Sequence, residues 1–143
     1  MPNENWFHWA LLSAVFAALT AIFAKLGVAH VDSDFATLVR TCVIVVVLAA
    51  FVCATGKWSS PLALDAKSWF WLVLSALATG ASWVCYFRAM KVGDVSKVAP
   101  VDKLSLVLAA IFAAVFLHER PAPREWAGIC LVGAGVVLLA LKR

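Results

Sequence analysis

The sequence predicts an all-α integral membrane protein, a bundle of five transmembrane helices. Three observations carry that expectation. The 143 residues are 64% hydrophobic and only 14% charged, with a mean hydropathy of +0.95. So few charges cannot cover a water-facing surface of that size, which makes lipid the solvent. Five apolar segments, at residues 6–26, 35–55, 68–90, 98–117 and 126–141, each approach the length that crosses a hydrocarbon core about 30 Å thick. Their connections, GVAHVDSD, GKWSSPLALDAK, KVGDVSK and HERPAPRE, are short and polar, so residues 1–143 read as a single membrane domain without internal repeats.

The first segment follows MPNENWFHWALL, which has no basic leader and no small-residue cleavage site after its apolar run. It therefore reads as a retained helix and not as a signal peptide. It ends near Lys25, which shares a helix face with Ala14, Ala18 and Ala21; small residues admit close helix approach, so that face is expected to point into the bundle. Arg40 lies one turn inside the second segment, among bulky Val43, Ile44 and Val47 that do not settle its direction. The third segment carries SALATGAS at 75–82, then WVCYF with the only tyrosine, Tyr86. Thr79, Gly80, Trp83 and Phe87 share one face, and Tyr86 aligns with Thr79 and Ser82. A small-residue bend lined by aromatics suits a ligand; close helix packing explains the same residues equally well.

The fourth segment opens in SKVAPVDKLS, and only 14 uncharged residues run from Leu104 to Leu117. That is about 21 Å of helix, so Asp102 and Lys103 are expected within the nominal hydrocarbon. A plainer reading comes from the fifth segment. APVD and APRE both place Pro at an expected first helical position with a carboxylate two residues on, against the positive end of the helix dipole. Asp102 aligns with Leu106, Ala109 and Ala113, and Lys103 with Val107, Ala110 and Ala114.

Lys25, Arg40, Asp102 and Lys103 thus form one expected layer, with Arg88 close by. Singly, each cation is explained by snorkelling to the surface. As a layer with one carboxylate inside it they read as a polar site, because ionisable groups at that depth pair or line a water-filled cavity. Asp102 is expected to pair with Lys103, Arg40 or Lys25 across helices.

Five spans put the termini on opposite sides. The side of the C-terminus carries Lys25, Arg40, Arg88, Lys91, Lys97, Lys103, Lys142 and Arg143; the other carries Lys57, Lys67, Arg120 and Arg124. Eight against four favours N-terminus out and C-terminus in. With Lys25, Arg40 and Lys103 buried the count falls to five against four, balanced enough for dual insertion. Trp6, Trp9, Trp58, Trp69, Trp71 and Trp126 lie on the N-terminal side as an interfacial belt. Trp83 stands apart, about 20 Å along the third helix.

Other chemistry finds no support. Cys42, Cys53, Cys85 and Cys130 fall within apolar runs without a CxxC pair and read as packing residues. The three histidines show no ligand spacing, so neither metal nor cofactor is expected. No basic stripe with interleaved aromatics suggests nucleic acid. No P-loop, GxGxxG or nucleophile elbow suggests an enzyme.

The order of segments resembles a known family. FAALTAIFAKLGV in the first helix, Arg40 opening the second and GASWVCYFRAMKVGDVSKVAPVDKLS across the third and fourth carry the resemblance. FLHERP and WAGICLVGAGVVLL complete it. Together they resemble the EamA domain of the drug/metabolite transporter superfamily, in a short single-domain form. The resemblance implies one half of an inverted-repeat secondary transporter, with a substrate cavity among the first four helices and alternating access. Typical members carry two such domains and move small organic metabolites. A single domain then implies a homodimer, antiparallel by analogy, in a bacterial or archaeal plasma (inner) membrane. The charge bias exceeds that of an ideal dual-topology protein, and His118 stands where the family usually has Gly before Glu119.

The expected substrate path comprises Asp102, Lys103, Arg40 and Lys25 with Trp83, Tyr86 and Thr79 as its wall; Glu119 and Arg88 form a candidate secondary polar site. Expected partners are a small-molecule substrate, membrane lipid and a second copy. The alternative is a non-transporting membrane subunit that completes a larger hetero-oligomeric assembly.

Overall fold

The structure is a computed structural model and describes residues 5–60 and 63–141; Lys142 and Arg143, counted above for orientation, lie outside those residues. Six helices follow in order: α1 (Asn5–Gly27), α2 (Ser33–Ala54), α3 (Ala66–Val92), α4 (Val95–Asp102), α5 (Leu104–Phe116) and α6 (Pro123–Ala140), with no strand among the described residues. The described residues hold five helices long and apolar enough to cross a membrane, because α4 and α5 together form the span Val95–Phe116.

The helix ends follow from their capping residues. The Asp32 side chain accepts hydrogen bonds from the amides of Asp34 (2.9 Å) and Phe35 (3.1 Å) and starts α2. Gly56, at φ 65°, closes it: the Gly56 amide donates to the Cys53 carbonyl and the Lys57 amide to that of Val52, each at 3.1 Å. This paired return is available because glycine adopts the left-handed conformation without a Cβ penalty. At α6 the APRE reading holds. Pro123 is the first helical residue, and Glu125 Oε2 accepts from the Ala122 amide at 2.6 Å.

The APVD reading does not hold. The fourth span begins at Val95 with Asp94 as N-cap, and Pro100 lies inside α4. Pro100 has no N–H to bond four residues back and its ring crowds that carbonyl, so the ladder is interrupted. The chain recovers with tighter three-residue bonds, Lys103 amide to Pro100 carbonyl and Leu106 amide to Lys103 carbonyl, each 3.0 Å. Asp102 and Lys103 therefore sit at a break inside the span, about 10 Å from its start at 1.5 Å per residue. The small-residue run of the third helix causes no such break: α3 continues for 27 residues through 75–82.

The chain forms two compact units, Met1–Val92 and Gly93–Arg143. In the first, α3 packs against both α1 and α2. Its core is small: Ala24 and Val28 from α1 and its exit pack with Phe87 of α3, and Ala21 and Met90 are buried as well. Ala14 and Ala18, expected on the buried face, are exposed, and so are all four cysteines. In the second unit α4 and α5 both pack on α6. One close approach is at Gly133, where a Cβ would lie 3.3 Å from Val107 Cγ2. Val107, Ala110 and Ala114, the face shared with Lys103, are half-buried. Most large apolar side chains remain exposed, Val46 at 68% for example. In lipid that carries no penalty, so close packing and polar contacts hold the helices together.

Candidate functional site

Inside a bilayer every hydroxyl needs a nearby acceptor, and the threonines of the first unit find theirs one turn back. Thr20 Oγ1 donates to the Phe16 carbonyl, Thr37 to Ser33, Thr41 to Thr37 and Thr79 to Ser75, at 2.7–2.9 Å. These side chains satisfy themselves and offer little to a partner. The cations behave differently. Lys25 Nζ donates to the Met90 carbonyl at 2.7 Å, crossing from α1 to α3. Lys91 Nζ donates to the Val31 carbonyl, also at 2.7 Å. Arg88 grips Asp34 with both edges, Nε to Oδ1 at 2.9 Å and Nη2 to Oδ2 at 2.6 Å. Both members of that pair are about half exposed, so its contribution is a tie between α2 and α3 and not a buried charge pair.

Arg40 is the exception. Its Cζ lies 4.4 Å from the Trp83 ring centroid and 5.4 Å from that of Phe87. The helical offset of four residues places both rings on one face of α3, and a guanidinium over such rings gains from about 0.5 kcal/mol at an exposed site to about 2 kcal/mol at a dry one. Stacking uses the flat faces and leaves the edge donors. One of them, Nη1, is buried and has no hydrogen-bond partner, a state that costs more than the lost bond alone.

Arg40 also borders a cleft of about 510 Å³ among the helices of the first unit. Phe23 of α1, Val31 of the connection, Phe35 and Val39 of α2 and Phe87 of α3 supply its apolar walls. Among the described residues lining it Arg40 alone is charged. Elements α1, α2 and α3 thus position one cation at the edge of an apolar space, a geometry that suits an amphipathic guest.

Of the residues singled out from sequence, Arg40 and Trp83 are brought together. Tyr86 is half-buried against the core of Ala24, Val28 and Phe87, with its ring 6.2 Å from that of Phe87. Thr79 is exposed. In the second unit Lys103 Nζ lies 3.3 Å from Asp102 Oδ2. That pair joins chain neighbours at the α4–α5 break, not two helices. Glu119 follows α5, its amide donating to the Ala113 carbonyl at 3.2 Å. The cleft walls Phe23, Phe35 and Val39 and the anchor Asp34 escaped sequence reading. Apolar residues in an apolar segment carry no contrast, and Asp34 sits in a polar connection where no local pattern singles it out.

The chain matches the EamA-like transporter family over residues 5–141. It belongs to that family. This EamA protein is 55% identical over 139 residues to a Sinorhizobium sp protein named "Uncharacterized transporter in cobO 3'region", covering 97% of this chain and 99% of the relative. It is 24% identical over 136 residues to "Uncharacterized transporter YxxF" of Bacillus subtilis (strain 168), covering 94% of this chain and 42% of that protein. A shorter match, 29% over 69 residues, covers 48% of this chain and 62% of the "Probable 4-amino-4-deoxy-L-arabinose-phosphoundecaprenol flippase subunit ArnE" of Salmonella paratyphi B. No solved structure matches. The protein is accordingly an integral membrane member of a transporter family.

Proposed function

We propose that this EamA protein is a secondary transporter or facilitator of a small organic metabolite. In this reading it acts as a homodimer of antiparallel copies with alternating access, in the inner membrane of a prokaryote. The observation that carries the reading is the Arg40 cleft, an apolar space bordered by one stacked cation with an unmet donor. Trp83 positions that cation, and Lys25, Tyr86 and Thr79, which belong to the same unit but do not line the cleft, serve the path from outside it. Asp102 and Lys103 supply a second polar element where α4 gives way to α5; a broken span with charges at the break is a recurring device of ion and substrate sites. Glu119 and Arg88 have secondary roles, Arg88 through its hold on Asp34. Pairing of two copies is supported by the Bacillus relative, of which this chain covers 42%. The charge bias supports the orientation with the N-terminus outside, and a balanced count without the buried cations supports dual insertion.

A second reading, a membrane subunit that completes a hetero-oligomeric assembly, is favoured by one observation: a relative is named as a flippase subunit. Two measurements separate the readings. A unique cysteine at each terminus, labelled from each side of the membrane in a background free of the four native cysteines, reports mixed orientation for an antiparallel homodimer and one orientation for a subunit. Proteoliposomes of the purified protein are expected to exchange organic solutes, and Asp102→Asn at equal expression to reduce that exchange about tenfold or more, as loss of a charged polar element implies. Wild-type exchange in Asp102→Asn would remove Asp102 from the transport path.

A further inference from the structure

The cleft beside Arg40 restricts what such a transporter would carry, and the inference rests on that reading. We propose that the first unit binds an amphipathic organic anion, a single carboxylate or phosphate held by Arg40 with its apolar body along Phe23, Phe35 and Val39. Three observations converge on this class. Among the described residues of the first unit no carboxylate pairs with Arg40: Asp32 caps α2, Asp34 is held by Arg88 and Asp65 accepts from the Ser68 amide. The guanidinium is oriented by Trp83 and Phe87, which fixes a planar fork of donors suited to a carboxylate or phosphate. Nη1 within that fork has no partner, and an anion drawing the side chain slightly toward the cleft supplies the missing acceptor.

The remaining wall narrows the class further. Among the described residues it holds no second cation to meet a dianion and no carboxylate to meet an ammonium group. Zwitterions and cations would therefore leave a charge unpaired in apolar surroundings, at a cost no wall contact offsets. A volume of about 510 Å³ admits a body the size of an aryl-alkyl acid, or the headgroup and first methylenes of an anionic lipid.

The test uses the purified chain in a neutral maltoside detergent, read by thermal unfolding. Phenylbutyrate is expected to stabilise the wild type, whereas its uncharged amide and the matching amine do not. In Arg40→Gln the dissociation constant for phenylbutyrate rises about tenfold or more, and Arg40→Lys falls between, as expected for losing a charge-assisted fork. Should Arg40→Gln fail to fold, the wild-type contrast between acid and amide still decides. Dioleoyl phosphatidate compared with dioleoylglycerol distinguishes the sources: Arg40-dependent stabilisation by phosphatidate assigns a lipid phosphate, and by phenylbutyrate alone a soluble acid. Equal effects of acid and amide, no effect of either anion, or binding unchanged in Arg40→Gln overturns the proposal. Proteoliposome exchange separates it from the transport reading. Arg40-dependent binding without exchange keeps the anion site and removes transport. Exchange of neutral or cationic solutes that persists in Arg40→Gln keeps transport and removes the anion site.

Discussion

The third and fourth spans look similarly breakable in sequence, yet only one breaks. The third contains SALATGAS at 75–82, and α3 passes through it as continuous helix. The fourth contains one proline, and α4 stops two residues later at Asp102. The difference is a backbone donor, not side-chain bulk. Small residues keep every N–H in the ladder, and in lipid an unbroken ladder is worth more than in water because no solvent satisfies a freed group. Proline removes the donor outright. The polar residues sort the same way: next to the intact ladder of α3 sits a stacked arginine, and at the break sits an adjacent Asp–Lys pair.

Exchanging the two features is the strongest test. Gly80→Pro would remove the bond from residue 80 to the Ala76 carbonyl, and a mid-helix proline costs about 3 kcal/mol or more. The space around Gly80 is open, with nothing within 4 Å of an added Cβ, so the loss would report the backbone alone. Pro100→Ala should act oppositely, restoring a donor to the Ser96 carbonyl and gaining about 1 kcal/mol. Under the transport reading it also slows exchange by straightening the segment that holds Asp102 and Lys103. Thermal unfolding of both variants in detergent is the measurement. A silent Gly80→Pro, or a destabilised Pro100→Ala, would contradict the account.

A smaller effect is expected at the end of the fourth span. His118 has φ 55°, a left-handed conformation in which a Cβ crowds the following carbonyl at a cost of about 1 kcal/mol. A glycine would meet no such penalty here, where the chain reverses so that the Glu119 amide can return to the Ala113 carbonyl. His118→Gly is expected to raise stability by about that amount, less the entropy of a freer unfolded chain. No gain, or a loss, would mean that the imidazole makes a compensating contact.

These positions show what the sequence could reveal. The five spans were legible because apolar length is a property of consecutive residues. The cap at Glu125 was legible because it is local, three residues from its partner. The same grammar misled at Pro100. Whether a proline opens a helix or interrupts one depends on whether Val95–Ala99 are already helical, and the N-cap residue that decides it, Asp94, lies outside the APVD pattern. The Trp83–Phe87 face was readable from spacing, whereas its contact with Arg40 was not, because α2 offers bulky neighbours on several sides. The tie of Arg88 to Asp34 spans 54 residues, and no pattern within either helix signals it.

The smallest expected effect concerns the start of α3, the intact helix. Asp65 precedes it, with its carboxylate accepting from the Ser68 amide at 3.2 Å and its carbonyl accepting from the Trp69 amide at 3.0 Å. The Ser68 hydroxyl, and after it the Ser68 amide, hold the Asp65 carboxyl below its ordinary value of 3.8. A carboxyl whose folded pKa is depressed binds its proton more readily in the unfolded chain. Its stabilisation is therefore complete above pH 3.8 and is lost as pH falls through the lower, folded value. Asparagine caps a helix about as well as aspartate but does not titrate. Asp65→Asn should thus match the wild type near neutrality and lack this part of the acid loss, while Asp65→Ala should be weaker at every pH. Amide exchange in the first turn of α3, followed from pH 6 to pH 3, isolates the local effect from other carboxylates. If the wild type and Asp65→Asn lose protection in parallel once intrinsic exchange is corrected, the Ser68 contacts do not stabilise the charged form, and the start of α3 depends on packing alone.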